Sequence, residues 1–190
     1  MTRVLVPMAD GTEEMEAVIV IDTLRRAKWE VVAAGTKKGV ITASRGVKIV
    51  PDVAWDEIDP SSFDVIVVPG GAKGVENLLK EESLREAIRS LHRAGKIVAA
   101  VCAGPLVLQH AGVLAGRKAT CHPDVVPKLT QAQYVNEAVV VDGSVITSQG
   151  AGTCFKFALA IVAKVDGSEK AEAVARGMVV KQADFETRGS

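Results

Sequence analysis

No charge predominates in this chain of 190 residues: 23 Lys and Arg stand against 23 Asp and Glu. That balance removes the basic footprint on which nucleic-acid binding rests, so no specific nucleic-acid partner is expected. Aromatic residues are scarce too, with two Trp, one Tyr and four Phe, too few for a base-stacking platform. Cysteine is limited to Cys102, Cys121 and Cys154, with no C-x-x-C pair. An odd, sparse set of this kind excludes a disulfide scaffold and a structural zinc site. The 7 Pro and 17 Gly are scattered, which excludes collagen-like and low-complexity classes.

Long hydrophobic runs are nearly absent. The apolar run at the N-terminus is too short for a signal peptide, and Asp10, Glu13 and Glu14 are foreign to a transit peptide. Ile97 to Ala115 carries no charge and has the length to span a bilayer. Gly104-Pro105, Gln109, His110 and Gly112 punctuate it, however, as a buried strand followed by a buried helix. The expectation is a cytoplasmic protein with no membrane partner. Hydrophobic residues make up 48% of the chain, and no linker, repeat or charge block divides it. This suits one domain over residues 1–190.

What is present is an alternation of strands and helices. Arg3–Met8 reads as a strand, and Glu13–Ala27 as a helix with acids first and Arg25-Arg26 last, matching the helix dipole. Trp29–Ala34 is a second strand, and Val40–Val50 a hairpin or arm around Gly46. Phe63–Val68 is a β-branched run suited to a strand covered on both faces, closed by Pro69-Gly70-Gly71. Ser83–Ala94 is an amphipathic helix capped by Ser83. Lys96–Val101 is a buried strand, Pro105–Ala111 a helix opened by proline, and Lys118–Cys121 a short strand. Asp142-Gly143 marks a two-residue hairpin between Ala138–Val141 and Ser144–Ser148. Helices over Thr153–Lys164 and Glu169–Val179 close the chain. The pattern predicts an α/β fold, a mostly parallel sheet between helices, with ligands beyond the carboxyl ends of the strands.

Residues with chemical potential gather at those ends. In Ala99-Ala100-Val101-Cys102-Ala103-Gly104-Pro105 a buried strand runs into a helix through a tight turn, as at a nucleophile elbow. Cys102 is thereby lifted above the sheet beside a helix N-terminus, whose partial positive charge is expected to favour the thiolate. Its alternative is a packed core cysteine. Gly70 and Gly71 permit a turn whose N–H groups face a developing anion, or simply a tight turn. Glu13-Glu14-Met15-Glu16 supplies acids at a helix start, of which one could tilt inward. His122 is the one histidine at a predicted strand end, whereas His92 and His110 read as structural. Cys121 beside it is a second thiol or strand-end packing.

Taken together, these stretches resemble the ThiJ/PfpI superfamily, and within it the parkinsonism-associated deglycase branch. The resemblance runs from Val4 to about Val180. It rests on Gly11-Thr12-Glu13-Glu14-Met15-Glu16, Ser44-Arg45-Gly46-Val47, Asp64 to Gly71, Ala99 to Pro105, Thr120-Cys121-His122-Pro123 and Thr147 to Thr153. It implies a flavodoxin-like three-layer sandwich, a homodimer, and no metal or organic cofactor. It also marks Cys102 as the reactive thiol, Glu16 as the carboxyl that contacts it and His122 as the nearby histidine. Gly70, Gly71 and Ala103 match the oxyanion-binding backbone. Cys121 and Cys154 are departures from the family's pattern.

The activity so implied is a glutathione-independent glyoxalase or deglycase, acting on methylglyoxal-type dicarbonyls and early glycation adducts to give 2-hydroxy acids. Cys102 would add to the aldehyde and Glu16 would move a proton, the two groups sharing one proton at rest. A redox-sensing, stress-protective chaperone signalling through oxidation of Cys102 is the alternative. A cysteine peptidase or amidase with His122 as base ranks last. Met15, Ala17, Val18, Ile19, Val20, Ile21 and Leu24 make the first helix apolar almost all round, which is expected to place it at a two-fold dimer contact.

Overall fold

The computed structural model describes residues 1–181. Strand β1 (Arg3–Met8) sends Val4, Val6 and Met8 to one side and Leu5 to the other, all buried. Strands β6 (Val65–Val68) and β7 (Ile97–Val101) do the same. Val65, Val67, Ala99 and Val101 share the first face, and Ile66, Val68, Val98 and Ala100 the second. Strands apolar on both sides require two covers. Helices α1 (Glu14–Arg26), α5 (Cys154–Asp166) and α6 (Ser168–Gly177) pack on the first face. Helices α2 (Ala72–Leu78), α3 (Glu82–Arg93) and α4 (Pro105–His110) pack on the second. The result is the mostly parallel sheet between helices that the pattern predicts, arranged as the flavodoxin-like three-layer sandwich that the resemblance implies.

The central sheet adds β2 (Glu30–Gly35), β5 (Val53–Ala54), β10 (Val139–Asp142) and β11 (Val145–Ser148), in the order β10-β11-β7-β6-β1-β2-β5. All neighbours are parallel except β10 and β11, a hairpin pairing Asp142 with Val145. Its loop is therefore Gly143-Ser144, one residue later than expected, because Gly143 takes the positive φ of +63°. The chain leaves β1 for β2 on one side and returns to β6 on the other. This reversal opens a crevice at the carboxyl ends of β1 and β6. A small arm, β3 (Ile41–Thr42) with antiparallel β4 (Lys48–Ile49), matches the expected hairpin around Gly46.

Three features were not foreseen. α2 begins at once after Gly71, where the glycines suggested only a turn. β5 and β9 (Gln133–Tyr134), the latter paired with β8 (Lys118–Ala119), are two residues each, too short to carry a period. Ser83 is not the cap of α3, which starts after Glu81; its hydroxyl accepts a hydrogen bond from Trp55 Nε1 at 2.8 Å. Among the described residues no helix is long and apolar enough to cross a membrane; Ile97 to Ala115 divides into β7 and α4.

Candidate active site

Cys102 follows β7 with φ +63°, a left-handed conformation that costs a residue with a side chain on the order of 1–2 kcal/mol. Backbone bonds impose it. The Cys102 N–H donates to Ser148 O and its carbonyl accepts from His122 N–H, both at 3.0 Å, while Gly104 N–H closes the turn on Val101 O at 2.8 Å. Gly104 is obligatory, since a Cβ there would sit 2.5 Å from Val68 O. The elbow expected from the sequence is thus present, and it leaves Cys102 partly exposed while Cys121 and Cys154 are wholly buried.

Glu16 reaches the same place from α1. The three acids at that helix start have separate tasks. The Glu13 carboxylate caps the helix, accepting from Glu16 N–H at 2.7 Å. Glu14 accepts from Ser44 Oγ at 2.7 Å and Arg45 N–H at 2.8 Å, tying down the β3–β4 arm. Glu16 turns inward, 1% exposed, and its Oε2 accepts from Gly70 N–H at 2.7 Å. The Glu13 N–H donates to Gly70 O at 3.0 Å, so the two loops are laced together. A Cβ on Gly70 would lie 2.6 Å from both Cys102 Cβ and Glu16 Oε2. Gly71, at φ +89°, approaches Gly11 so closely that a Cβ would strike its carbonyl. The glycines bring the thiol and the carboxyl together by being absent as side chains.

Burial pushes the Glu16 carboxyl up to about 7; Gly70 N–H and the Cys102 thiol pull it down, and the Glu13 charge adds to the rise. Burial likewise pushes the Cys102 thiol up, to about 12, reinforced by the Glu16 charge and hydrogen bond and opposed by the N–H groups of Gly71 and Ala103. The expectation that a helix end would favour the thiolate is corrected here. α4 has only six residues, and desolvation with a neighbouring carboxylate outweighs it. The pair gives up one proton readily and holds the second. Gly70 also differs from its expected part as an oxyanion donor: its N–H is engaged by Glu16, and only Gly71 and Ala103 direct N–H groups at the sulfur.

His122 stands apart. Among the described residues no hydrogen bond joins its ring to Cys102; Nδ1 accepts from Asp124 N–H at 3.2 Å and lies 3.7 Å from the Asp124 carboxylate. A neutral ring so held carries its proton on Nε2. Cys154 lies at the first turn of α5, its thiol raised by burial and by Glu16, Glu13 and Cys102. Glu13 is the residue that sequence reasoning passed over; its place three before Glu16 is the spacing of a helix cap. No cluster of His, Cys, Asp and Glu suited to a metal occurs among the described residues.

The model of the DJ-1/PfpI family matches residues 2–164. Protein DJ-1 homolog B of Arabidopsis thaliana is 44% identical over 180 residues, which cover 94% of this chain and 41% of that one, so the chain spans under half of that relative's length. The glutathione-independent glyoxalase DJR-1.2 of Caenorhabditis elegans is 38% identical over 169 residues, 88% of this chain and 89% of its own. The crystal structure of Drosophila melanogaster DJ-1beta superposes with a TM-score of 0.91 at 39% identity, covering 95% of this chain and 98% of that one. The family model spans most of the chain and the fold superposes on that of a DJ-1 protein, so the chain belongs to the DJ-1/PfpI family.

Proposed function

We propose that this protein is a cysteine-dependent, glutathione-independent glyoxalase and deglycase that converts methylglyoxal-type dicarbonyls and early glycation adducts to 2-hydroxy acids. The observation that carries the reading is the Glu16 carboxyl, buried against Cys102 with its proton affinity raised to about 7. A base with that affinity can take and return a carbon-bound proton near neutral pH. With Glu16 ionised, passage of the thiol proton to its carboxylate supplies the nucleophile as the aldehyde is attacked. The sulfur bonds to the aldehyde carbon, and its oxygen becomes an oxyanion facing the N–H groups of Gly71 and Ala103. Glu16 gives its proton to that oxyanion and, now ionised, removes the hydrogen from the same carbon; it returns that proton to the neighbouring carbonyl carbon while the hydroxyl proton passes to the neighbouring oxygen, giving a thioester of the 2-hydroxy acid. Water releases the acid and restores the thiol. His122, with its proton on Nε2, is suited to donate to a substrate oxygen rather than to deprotonate Cys102. The glyoxalase relative supports the reaction class. The test is incubation of the reduced protein with methylglyoxal in the absence of glutathione; stoichiometric 2-hydroxy acid is expected, and none would refute the reading.

A second reading, redox sensing, draws on the same thiol. Cys102 alone among the three is exposed, and a sulfinate there would meet the Gly71 and Ala103 N–H groups and a protonated Glu16. Peptide mapping after dilute peroxide is expected to find Cys102 modified first.

A second copy of the chain is the proposed partner. α1 buries Ala17, Val20 and Leu24 but leaves Met15 54% and Val18 51% exposed, beside Val50 at 71%. A groove of about 270 Å³ runs between Val18, Ile21, Ile49 and Val50. An apolar face of this kind on a two-layered helix suits a two-fold contact. Sedimentation is expected to show a dimer that Val18→Asp weakens; a parent that stays monomeric at all concentrations would exclude it.

A further inference from the structure

Cys121 takes no part in the proposed reaction, yet it is the cysteine whose backbone is tied to Cys102. The His122 N–H donates to the Cys102 carbonyl at 3.0 Å, so the peptide that follows Cys121 is clamped to the residue that carries the reactive sulfur. A bond of that kind holds the two Cα atoms on the order of 6 Å apart, as for neighbours across a ladder, within the roughly 4.4–6.8 Å that a disulfide spans. Both residues also pack in the cluster on the α2–α4 face, Cys121 as a wholly buried member and Cys102 against it.

The segment that carries Cys121 is irregular, held by the His122 bond and by Thr120 N–H donating to Thr147 Oγ1 at 2.9 Å. Thr120, Cys121 and His122 belong to no helix or strand. The Thr120 hydroxyl is the one buried side-chain polar atom among the described residues without a hydrogen-bond partner. An orphan of this kind is uncommon in a settled core. Cys154 lies in the first turn of α5 and in the cluster on the opposite face, against which Cys102 also packs, but among the described residues no backbone bond ties it to Cys102.

We infer that Cys121 is a resolving thiol for Cys102, so that a hydroperoxide converts the pair to a reversible disulfide instead of driving Cys102 on to sulfinate. The Cys102 thiolate attacks one peroxide oxygen, the O–O bond breaks, and hydroxide leaves, which after protonation is one water; Cys102 is then a sulfenic acid. The Cys121 sulfur attacks that sulfur, the S–O bond breaks, and the hydroxyl departs with the Cys121 proton as a second water. Two thiols have lost two electrons to one peroxide, and the balance is closed. Burial shields Cys121 from the oxidant itself, so the order of events is fixed: Cys102 first, Cys121 second. This rests on Cys102 as the reactive thiol, and not on dicarbonyl turnover.

The test is intact-mass and peptide analysis of the full chain treated with two equivalents of hydrogen peroxide, enough for either a disulfide or a sulfinate. The parent is expected to lose two hydrogen atoms and to yield a Cys102–Cys121 linked peptide, reversed by dithiothreitol. Cys121→Ser and Cys121→Ala are expected to gain two oxygen atoms at Cys102 instead, beyond rescue by dithiothreitol, and Cys154→Ser to behave as the parent. Sulfinate at Cys102 in the parent with no linked peptide, or a Cys102–Cys154 link, overturns the inference while leaving the site reading intact. Cys102 unmodified while another residue reacts overturns both.

Discussion

The two ends of the parallel strands are built on opposite rules. At the amino ends several charges are answered by partners. Arg3 holds Glu30 through Nε at 3.0 Å and Nη2 at 2.9 Å, and lies 4.6 Å over the Phe63 ring. Its backbone N–H meets Asp64 at 3.0 Å. His92 sits between Ser144 at 3.4 Å and Arg117 at 3.3 Å, and Arg117 pairs with Asp142. At the carboxyl ends a carboxyl is buried with no cation against it among the described residues, a cysteine is held at φ +63°, and a threonine hydroxyl has no partner. Discomfort concentrated at one end, on a frame settled at the other, is how a fold stores reactivity.

The sharpest way to break this contrast is at the thiol. Cys102→Ser is expected to remove methylglyoxal turnover altogether while leaving the circular dichroism spectrum unchanged. Next comes Gly70→Ala, whose methyl group would stand between Cys102 and Glu16. Parting the pair by about 1 Å is expected to lower kcat/KM about 10²-fold. The overpacking should also cost roughly 1–3 kcal/mol in denaturant unfolding.

Stability against pH separates the ends further. A carboxyl raised from 4.5 to about 7 favours the protonated fold. Its contribution is full below 4.5, is lost as pH rises toward 7, and stays lost above. Glu16→Gln, neutral throughout, is therefore expected to equal the parent near pH 4 and to exceed it at pH 8, by a margin on the order of 3 kcal/mol. A parent that gained stability between pH 4.5 and 7 relative to the variant would contradict the burial argument. The smallest effect belongs to the settled end. Arg117→Met is expected to cost no more than about 1 kcal/mol of stability, the worth of a half-exposed ion pair, and to leave turnover unchanged.

The frame was legible because its signals are local. The β-branched run at Val65–Val68 and the short apolar run at Ile97–Val101, each bounded by turn residues, read as covered strands, and Gly143 beside Asp142 announces its hairpin. The elbow was legible for the same reason, since a strand, a cysteine, small residues and a proline follow one another directly. What escaped depends on partners distant in sequence. Glu13, Glu14 and Glu16 are the same kind of residue at one helix start, and only the contacts with Ser44, Arg45 and Gly70 separate their tasks. The direction of the Cys102 shift depended on how far burial would outweigh one short helix, which no local pattern encodes.

The most direct test of the central claim is the turnover of methylglyoxal by Glu16→Gln beside His122→Ala, each against the parent at pH 7.5. If the thiol and the Glu16 carboxyl work as a pair, with His122 Nδ1 accepting from Asp124 N–H, Glu16→Gln loses about 10²-fold or more, the scale of general acid–base catalysis. His122→Ala then keeps a measurable part of the activity. Glu16→Gln turning over at the parent rate while His122→Ala is inactive would contradict the account and assign the base to His122.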